Sequence, residues 1–257
     1  MIYKYTENQS SKYPTLWIVI PTLLRPYSLQ NIQNIVSELL LMQKDLRIKL
    51  ILATIEFNKL SADQLKFVDT LCQNSFVKVL YCKGNLYSAM NSGLNIAHRD
   101  DLLFFCGDTD YPNLDFLQQL CKSSHQLNTV FSANIVQHKQ QITARLPNKN
   151  IIIHCLTQRN PSHHQGFVYS ADVLKQLGGY DTSLYVLSDY DLHMKIAFSK
   201  YNSVNYKYYD SVLCWCDEAG ISGTPRMINY LESFRIRAKY APLYFIPVIF
   251  SIEMLVF

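Results

Sequence analysis

Glycine and proline are scarce in this chain, which has 8 and 9 of them among 257 residues. Their scarcity excludes collagen-like and low-complexity classes. Charged residues are also few, at 17%, whereas hydrophobic residues make up 49%. Disordered chains have the opposite balance, so this chain has enough apolar material to fold around a core. The net charge of +4 is small and scattered, so we expect no nucleic-acid partner.

The chain lacks an even, regularly spaced set of cysteines. Its seven cysteines show no disulfide framework, and several stand inside apolar runs. This pattern is typical of free thiols in a reducing compartment, so we expect a cytoplasmic protein. Cys214 and Cys216 could ligate a metal, but no second Cys or His pair lies at zinc-finger spacing, which favours buried thiols. The polar first 15 residues predict no secretory leader.

Short apolar runs alternate with helical patterns through the first half of the chain. The runs predict four buried strands, near residues 16–20, 49–55, 77–82 and 102–106. Apolar residues at helical spacing separate these runs, and Ser61 with Gln64 predicts a capping box at the start of one helix. Such alternation predicts an α/β fold, with a mostly parallel central sheet and helices on both faces.

The pattern is looser after residue 112. Residues 129–144 alternate enough for one or two strands, which we expect to be antiparallel. A short helix over residues 171–177 is expected to end at Gly178-Gly179. Ser188 is expected to cap a helix that runs to about residue 199. These elements predict a smaller, mixed half of the same fold.

No internal repeat or linker is visible, so we predict one domain at residues 1–225. Its nucleotide-binding half is expected at 16–112 and its acceptor half at 113–225. Residues 226–257 form a tail that is first basic and then apolar. Its last seventeen residues would reach about 25 Å as a helix, short of the roughly 30 Å hydrocarbon core of a bilayer. The tail either makes a peripheral contact with the inner face of the plasma membrane or packs on protein.

Two Asp-x-Asp pairs stand beside predicted elements. Asp108 and Asp110 follow the fourth strand, and open α/β sheets bind ligands beyond the carboxyl ends of their strands. Two carboxylates there suit Mg²⁺ or Mn²⁺ together with substrate phosphate oxygens, and the alternative is a solvated turn. Asp189 and Asp191 open a helix. They either complement its dipole or provide a general base, and the residues alone favour the first use.

Further short segments follow one another in a fixed order: WIVIPT at 17–22, GNLYSAMNSG at 84–93, LFFCGDTDYP at 103–112, HHQ at 163–165, LGGYD at 177–181, SDYDL at 188–192 and EAGIS at 218–222. Together they resemble the family 2 inverting glycosyltransferases. The resemblance covers about residues 16–222. It implies the nucleotide-diphospho-sugar transferase fold of the A type, and a metal-dependent enzyme that works by direct displacement.

The resemblance also implies roles for individual residues. Asp108 and Asp110 would hold Mn²⁺ or Mg²⁺ on the donor diphosphate, and Asp189 would deprotonate the acceptor hydroxyl. His164 and Gln165 would line the donor or acceptor pocket. The expected contacts with the nucleotide are Pro21, Thr22, Glu56, Tyr87, Ser88, Asn91 and Asp108.

Two of these positions, Ser88 and Tyr87, and the candidate substrate-binding residue Trp215 carry alternatives. Ser88 stands where the family has an aspartate, which removes an expected nucleotide contact. Tyr87 either stacks on the base or packs inside the protein. Trp215 either forms the floor of an acceptor sugar site or packs in the core, since aromatic rings suit both.

We therefore expect an inverting hexosyltransferase. It would move a sugar from a nucleotide-diphosphate donor, with a UDP-sugar as first choice, to a glycan or lipid-linked acceptor in cell-surface polysaccharide synthesis. A catalytically degenerate protein of this fold that binds a glycan or a partner stays open, because of Ser88. A nucleotidyltransferase is a further alternative, but residues 21–26 have no Gly-rich phosphate loop.

Overall fold

The computed structural model describes residues 14–42, 47–54, 57–123, 127–157, 163–198, 204–217 and 227–256. The strands of these residues are β1 (Leu16–Pro21), β2 (Ile48–Thr54), β3 (Val77–Tyr81), β4 (Leu102–Phe105), β5 (Tyr111–Pro112), β6 (Thr129–Gln137), β7 (Gln140–Thr143), β8 (Phe167–Ser170) and β9 (Asn205–Trp215). The α-helices are α1 (Pro26–Leu41), α2 (Ala62–Cys72), α3 (Leu86–Ile96), α4 (Leu114–Lys122), α5 (Ile151–Thr157), α6 (Ala171–Gln176), α7 (Ser188–Phe198), α8 (Met227–Tyr240) and α9 (Ile246–Val256).

The nine strands of the described residues join one sheet in the order β3-β2-β1-β4-β8-β6-β9-β5, with β7 paired to β6. β1 pairs in parallel with β2 and with β4, and β2 pairs in parallel with β3. Beyond β4 the sheet is mixed, because β8 runs antiparallel to both of its neighbours and β9 runs parallel to β6. The predicted α/β class, with a parallel half and a mixed half, is confirmed.

The pleat of the strands separates two apolar cores. Ile18 of β1 and Phe104 of β4 face a cluster that includes residues of α1, α2 and α4. Their neighbours Val19 and Phe105 face the opposite cluster, which α3, α6 and α7 help to form. Helices therefore cover both faces of the sheet, as the alternation of strands and helices predicts.

Helix caps follow the sequence in one case and depart from it in another. Gln64 N donates to Ser61 Oγ and Ser61 N donates to Gln64 Oε1, so the predicted capping box is confirmed. The predicted cap by Ser188 is wrong, because its buried Oγ has no hydrogen-bond partner in the described residues. The backbone just before α7 is bound instead by a distant carboxylate, that of Glu232 in α8.

Glu232 accepts three hydrogen bonds from consecutive N–H groups, those of Tyr185, Val186 and Leu187, at 2.5, 2.9 and 2.9 Å. The carboxylate is 6% exposed. A carboxylate facing the N-terminus of a helix is favoured by the helix dipole as well as by the hydrogen bonds. α8 therefore holds the segment that leads into α7.

The C-terminal helices pack on the rest of the chain. α8 contacts α7, and α9 contacts α8 and α5. Arg237 of α8 is fully buried, and its Nη2 lies 2.7 Å from Oε1 of Glu253 in α9. None of the helices in the described residues has the length and apolar character needed to cross a membrane.

Candidate active site

The segments that follow β1 and β4 meet at the carboxyl edge of the parallel strands. Thr22 donates from Oγ1 to Asp108 Oδ2 over 2.7 Å. Asn31 of α1 donates from Nδ2 to the backbone carbonyls of Asp108 and Asp110, at 3.1 and 2.8 Å. The sequence carries no signal for the role of Asn31, because a polar residue near the start of a helix is an ordinary occurrence. These contacts fix the turn that carries both aspartates.

Asp110 is held from three directions. Its Oδ2 accepts hydrogen bonds from Gly107 N at 3.0 Å and from Gln165 Nε2 at 2.9 Å, and its Oδ1 accepts one from Asp217 N at 2.8 Å. The residue is 4% exposed. A buried carboxylate with several donors is well satisfied. Asp110 thus joins β4, the turn at 164–166 and the end of β9.

A single 3₁₀ turn, His164–Gly166, connects the two predicted acidic motifs. While Gln165 binds Asp110, the Nδ1 atom of His164 lies 3.5 Å from Oδ2 of Asp189. Gly166 permits this arrangement, since a Cβ there would lie 2.2 Å from the Cβ of Ala144. Residues that are far apart in the sequence are therefore brought together at one edge of the sheet.

The carboxylate of Asp189 is ionised at neutral pH. Burial opposes its ionisation, but the hydrogen bond and charge of His164, together with His193 and the N–H of Tyr190, outweigh burial and hold the pKa of Asp189 below its usual range. Its side chain is 14% exposed, so a small part of it reaches solvent. An ionised, partly accessible carboxylate beside a histidine can accept a proton from a bound hydroxyl.

Tyr87 and Asn91 of α3 support the segment leading into α7. Tyr87 is 3% exposed, its hydroxyl donates to the Val186 carbonyl, and its ring stacks on Tyr180 at 5.6 Å. Asn91 donates to the Tyr180 carbonyl and accepts from the Tyr180 N–H, each at 2.9 Å. The polar groups of both side chains form hydrogen bonds within the protein. Contacts of Tyr87 and Asn91 with a nucleotide stay predictions.

The other predicted site residues are placed as follows. Pro21 ends β1 and is partly exposed, whereas Ser88 is half-buried and bonds Asn85 through both its N–H and its hydroxyl. Trp215 ends β9 and is 44% exposed, two residues before the N–H that binds Asp110. Glu56 and the segment at 218–222 lie outside the described residues.

The donor set suits a hard divalent ion at Asp108. This residue is half-exposed at the sheet edge and accepts one hydrogen bond from the described residues, on Oδ2. Carboxylate oxygens that remain open to solvent are the ligands that Mg²⁺ and Mn²⁺ prefer. Asp110 has less free capacity, because three donors already occupy its oxygens. Asp108 thus fits the predicted metal better than Asp110 does.

A second group of potential ligands is buried under this edge. Ligand atoms of Cys106, Asp110 and Cys214 lie within 4.8 Å of one another. Burial raises the pKa of both thiols, and that of Cys214 is further raised by its neighbours Cys106 and Cys216. The thiolate is the form that binds metal, so these protonated thiols fit Mg²⁺ or Mn²⁺ poorly. The group agrees with the interpretation of Cys214 as a buried thiol.

No protein-family model and no curated protein matches this chain in sequence. Solved structures do match it. S. aureus TarS is 14% identical with a TM-score of 0.58 over 88% of this chain. A mannosyltransferase from Pyrobaculum calidifontis, in complex with GDP-Man and Mn²⁺, is 13% identical with a TM-score of 0.52 over 94%. GalNAc-T7 with UDP, GalNAc and Mn²⁺ is 14% identical with a TM-score of 0.57 over 90%.

The chain spans 39% of the TarS chain, 70% of the mannosyltransferase chain and 48% of the GalNAc-T7 chain. The similarity lies in the arrangement of the sheet and helices rather than in sequence identity. The fold implied by the ordered motifs is thereby confirmed. This chain has a glycosyltransferase fold.

Proposed function

We propose that this protein transfers a sugar from a nucleotide-diphosphate donor to a hydroxyl group of a glycan or lipid-linked acceptor, with inversion at the anomeric carbon. One observation carries the proposal. The turn at 164–166 contacts Asp110 through Gln165 and the ionised Asp189 through His164. The open carboxylate of Asp108, two residues before Asp110, therefore lies at the same edge of a glycosyltransferase fold as Asp189. One fold can serve many activities, so the activity is argued from the residues of the site and not from the fold alone.

The donor side is built around Asp108. Asp108 would hold a divalent ion there, and the ion would supply neutralisation of the negative charge on the leaving diphosphate. Thr22 fixes one oxygen of Asp108 and Asn31 fixes its backbone, so the carboxylate is oriented before the ligand arrives. Prior orientation of this kind removes a reorganisation cost from the reaction. UDP and GDP are the first nucleotides to test, because two of the matched structures contain UDP and GDP-Man.

The acceptor side is built around Asp189. The acceptor hydroxyl attacks the anomeric carbon as its proton passes to the Asp189 carboxylate. The bond from that carbon to the diphosphate oxygen breaks, and the nucleoside diphosphate leaves. His164 orients Asp189 and keeps it ionised until the proton arrives. Attack in line with the leaving group inverts the anomeric centre.

The decisive experiment is a calorimetric titration of UDP and GDP with and without Mn²⁺. We expect Mn²⁺-dependent binding of one nucleotide, and loss of that binding in Asp108→Ala. Asp115→Ala is the matched control, since Asp115 is an exposed aspartate in the first turn of α4. If wild type binds neither UDP, GDP, CMP nor dTDP, the transferase proposal is wrong and the degenerate binding protein takes its place.

The proposal includes a peripheral contact with an anionic lipid surface, as suits a lipid-linked acceptor. Apart from Ser251, the exposed side chains of α9 and the turn before it are apolar, and they include Leu243, Tyr244, Phe250, Met254 and Leu255. Glu232 and Glu253 are both buried, whereas Arg235 and Lys239 are exposed. An apolar face with basic neighbours suits the headgroup region of such a membrane.

Co-sedimentation with vesicles tests this contact. We expect the protein to sediment with phosphatidylglycerol vesicles more than with phosphatidylcholine vesicles, and Leu243→Asp/Leu255→Asp to remain in the supernatant. Equal sedimentation of the variant and wild type would overturn the membrane contact and leave the transfer reaction unaffected.

A further inference from the structure

An open groove of about 420 Å³ lies on the sheet face beside the candidate active site. The segment Thr143, Ala144, Arg145 and Leu146 forms one side of it, and Tyr206 and Tyr208 of β9 form the other. The groove adjoins the catalytic turn, because the close approach of Ala144 to Gly166 leaves no room for a side chain between them. The groove thus lies next to the turn that carries His164 and Gln165.

Three half-exposed aromatic side chains follow one another along β9. Tyr206, Tyr208 and Trp215 are 43%, 45% and 44% exposed. The neighbouring residues Tyr209, Cys214 and Cys216 pack into the core on the opposite face. After Tyr208 the register of β9 against β6 shifts, so that Tyr208 lies beside Ser132 and Trp215 lies beside Val136. Ser132 and Val136 are four residues apart and share one face of β6, so the three exposed rings also share one face of the sheet.

The row of rings is longer than one sugar. On the parallel neighbour β6, Tyr206 pairs with Val130 and Trp215 pairs with Val136. Six residues of strand at about 3.3 Å each give a row of about 20 Å. Its Trp215 end lies at the candidate active site, because Asp217 N bonds Asp110.

The two tyrosine rings are held in place by their hydroxyl groups. Tyr206 OH is 2.6 Å from Ser132 Oγ, and Tyr208 OH donates to Asn134 Oδ1 over 3.0 Å. The hydroxyls are thus occupied while the ring faces stay exposed. A ring fixed in this way loses little side-chain entropy when a ligand packs on it.

Polar groups accompany the rings. Asn134 Nδ2 donates to Asp210 Oδ1 over 2.9 Å, which leaves Asp210 Oδ2 without a hydrogen bond from the described residues. Arg145 is exposed on the other side of the groove. A row of rings with a carboxylate and a guanidinium beside it suits a chain of hydroxyl-rich rings, whose C–H faces pack on aromatics and whose hydroxyls bond to the polar groups.

We infer that this groove and the exposed face of β9 beyond it bind the acceptor glycan over several sugar residues. Tyr206 and Tyr208 in the groove contact sugars distant from the reacting hydroxyl, and Trp215 on the strand face contacts the sugar nearest to it. The acceptor role rests on the proposed function, whereas glycan binding does not. The inferred ligand is an oligosaccharide chain rather than a monosaccharide.

Fluorescence anisotropy with labelled hexasaccharides of β-linked glucose, β-linked N-acetylglucosamine, α-linked glucose and α-linked mannose tests the inference. We expect wild type to bind at least one of them and the matching disaccharide more weakly. Tyr208→Ala should weaken binding about 10-fold, and Tyr208→Phe, which keeps the ring, by about threefold or less. Tyr81→Ala is the matched control, since Tyr81 is a 42% exposed strand tyrosine on β3, at the opposite end of the sheet.

The outcomes separate this inference from the proposed function. If wild type binds none of the hexasaccharides, or if Tyr208→Ala binds as well as wild type, the groove is not a glycan site. If wild type still binds a nucleotide with Mn²⁺ in that case, the proposed donor site is supported although the glycan groove is not. Should glycan binding be lost in Tyr208→Ala while no nucleotide binds wild type, the groove stands and the transferase proposal fails.

Discussion

Thr22 and Asp108 are joined by a hydrogen bond of 2.7 Å between Oγ1 and Oδ2, although 86 residues separate them. The same Thr22 oxygen accepts from the N–H of Leu24 at 2.9 Å. The Thr22 hydroxyl therefore connects the backbone after β1 with the carboxylate after β4. It places Asp108 in a fixed direction at the edge where the donor is proposed to bind.

Thr22→Val should weaken Mn²⁺-dependent nucleotide binding by about 10-fold, because Asp108 loses a hydrogen bond worth roughly 1 kcal/mol or more. Thr54→Val is the matched control. Thr54 ends β2 and is 2% exposed, and its Oγ1 lacks a partner in the described residues, so this change should raise stability slightly. Calorimetry of both variants checks the prediction, and equal nucleotide affinities for the two would contradict it.

Asp189→Asn should lower turnover by about 100-fold or more while nucleotide affinity stays nearly intact, because the amide cannot accept the proton. Asp191→Asn should instead lower the stability of the protein and leave its turnover nearly unchanged. Asp191 is 1% exposed, with Lys239 Nζ 2.9 Å and Lys195 Nζ 3.3 Å away, so loss of its charge should lower stability by about 2 kcal/mol. Donor-turnover assays and urea unfolding of both variants separate the two roles. Full turnover in Asp189→Asn would show that another group is the base.

The free energy of unfolding should fall as pH falls from 7 to 5. Burial lowers the pKa of His193 to about 4, below the usual histidine value of about 6.5. Between these values the unfolded state binds more protons, which makes acid destabilising by about 2 kcal/mol at pH 5. His193→Gln, which keeps an acceptor for the Tyr169 hydroxyl 2.7 Å away, should remove most of this slope. His163, whose pKa burial and His164 also lower, should leave a smaller slope. An unchanged slope in His193→Gln would rule out His193 as its source.

Glu232→Ala should cost about 3 kcal/mol or more, since three backbone N–H groups lose a charged acceptor. Turnover should fall together with stability, because those groups lead directly into α7 and Asp189. Leu231→Ala is the control on the same helix, as Leu231 is 57% exposed. Urea unfolding and turnover at low temperature measure both effects. Normal turnover in a destabilised Glu232→Ala would show that the cap does not position Asp189.

The parallel half of the fold could be predicted from the sequence because its signals are local. Buried strands such as β1 and β4 are continuous apolar runs, and the Ser61 capping box spans four residues. β9 gave no such signal. Its outward Tyr206 and Tyr208 are as aromatic as its inward Tyr209, so one face of the strand does not differ in composition from the other.

The acidic residues of the candidate site could be predicted from the sequence, but the difference between the roles of Asp108 and Asp110 could not. Asp108 and Asp110 look equivalent in the sequence. Only the fold shows that Gln165, Gly107 and the backbone of Asp217 occupy the oxygens of Asp110. In the same way, the acceptor before α7 is Glu232 and not Ser188. Glu232 is 44 positions from Ser188 in the sequence, and it reaches this backbone only because α8 packs against α7. Long-range contacts carry no local pattern.

The buried Arg237–Glu253 pair has a consequence for the surface of the molecule. An unpaired charge in that interior would be costly, so α9 has one rotational setting in which Glu253 meets Arg237. That setting turns Phe250, Met254 and Leu255 outward. The Arg237–Glu253 ion pair, together with the burial of Ile249, therefore determines which apolar side chains of α9 face solvent.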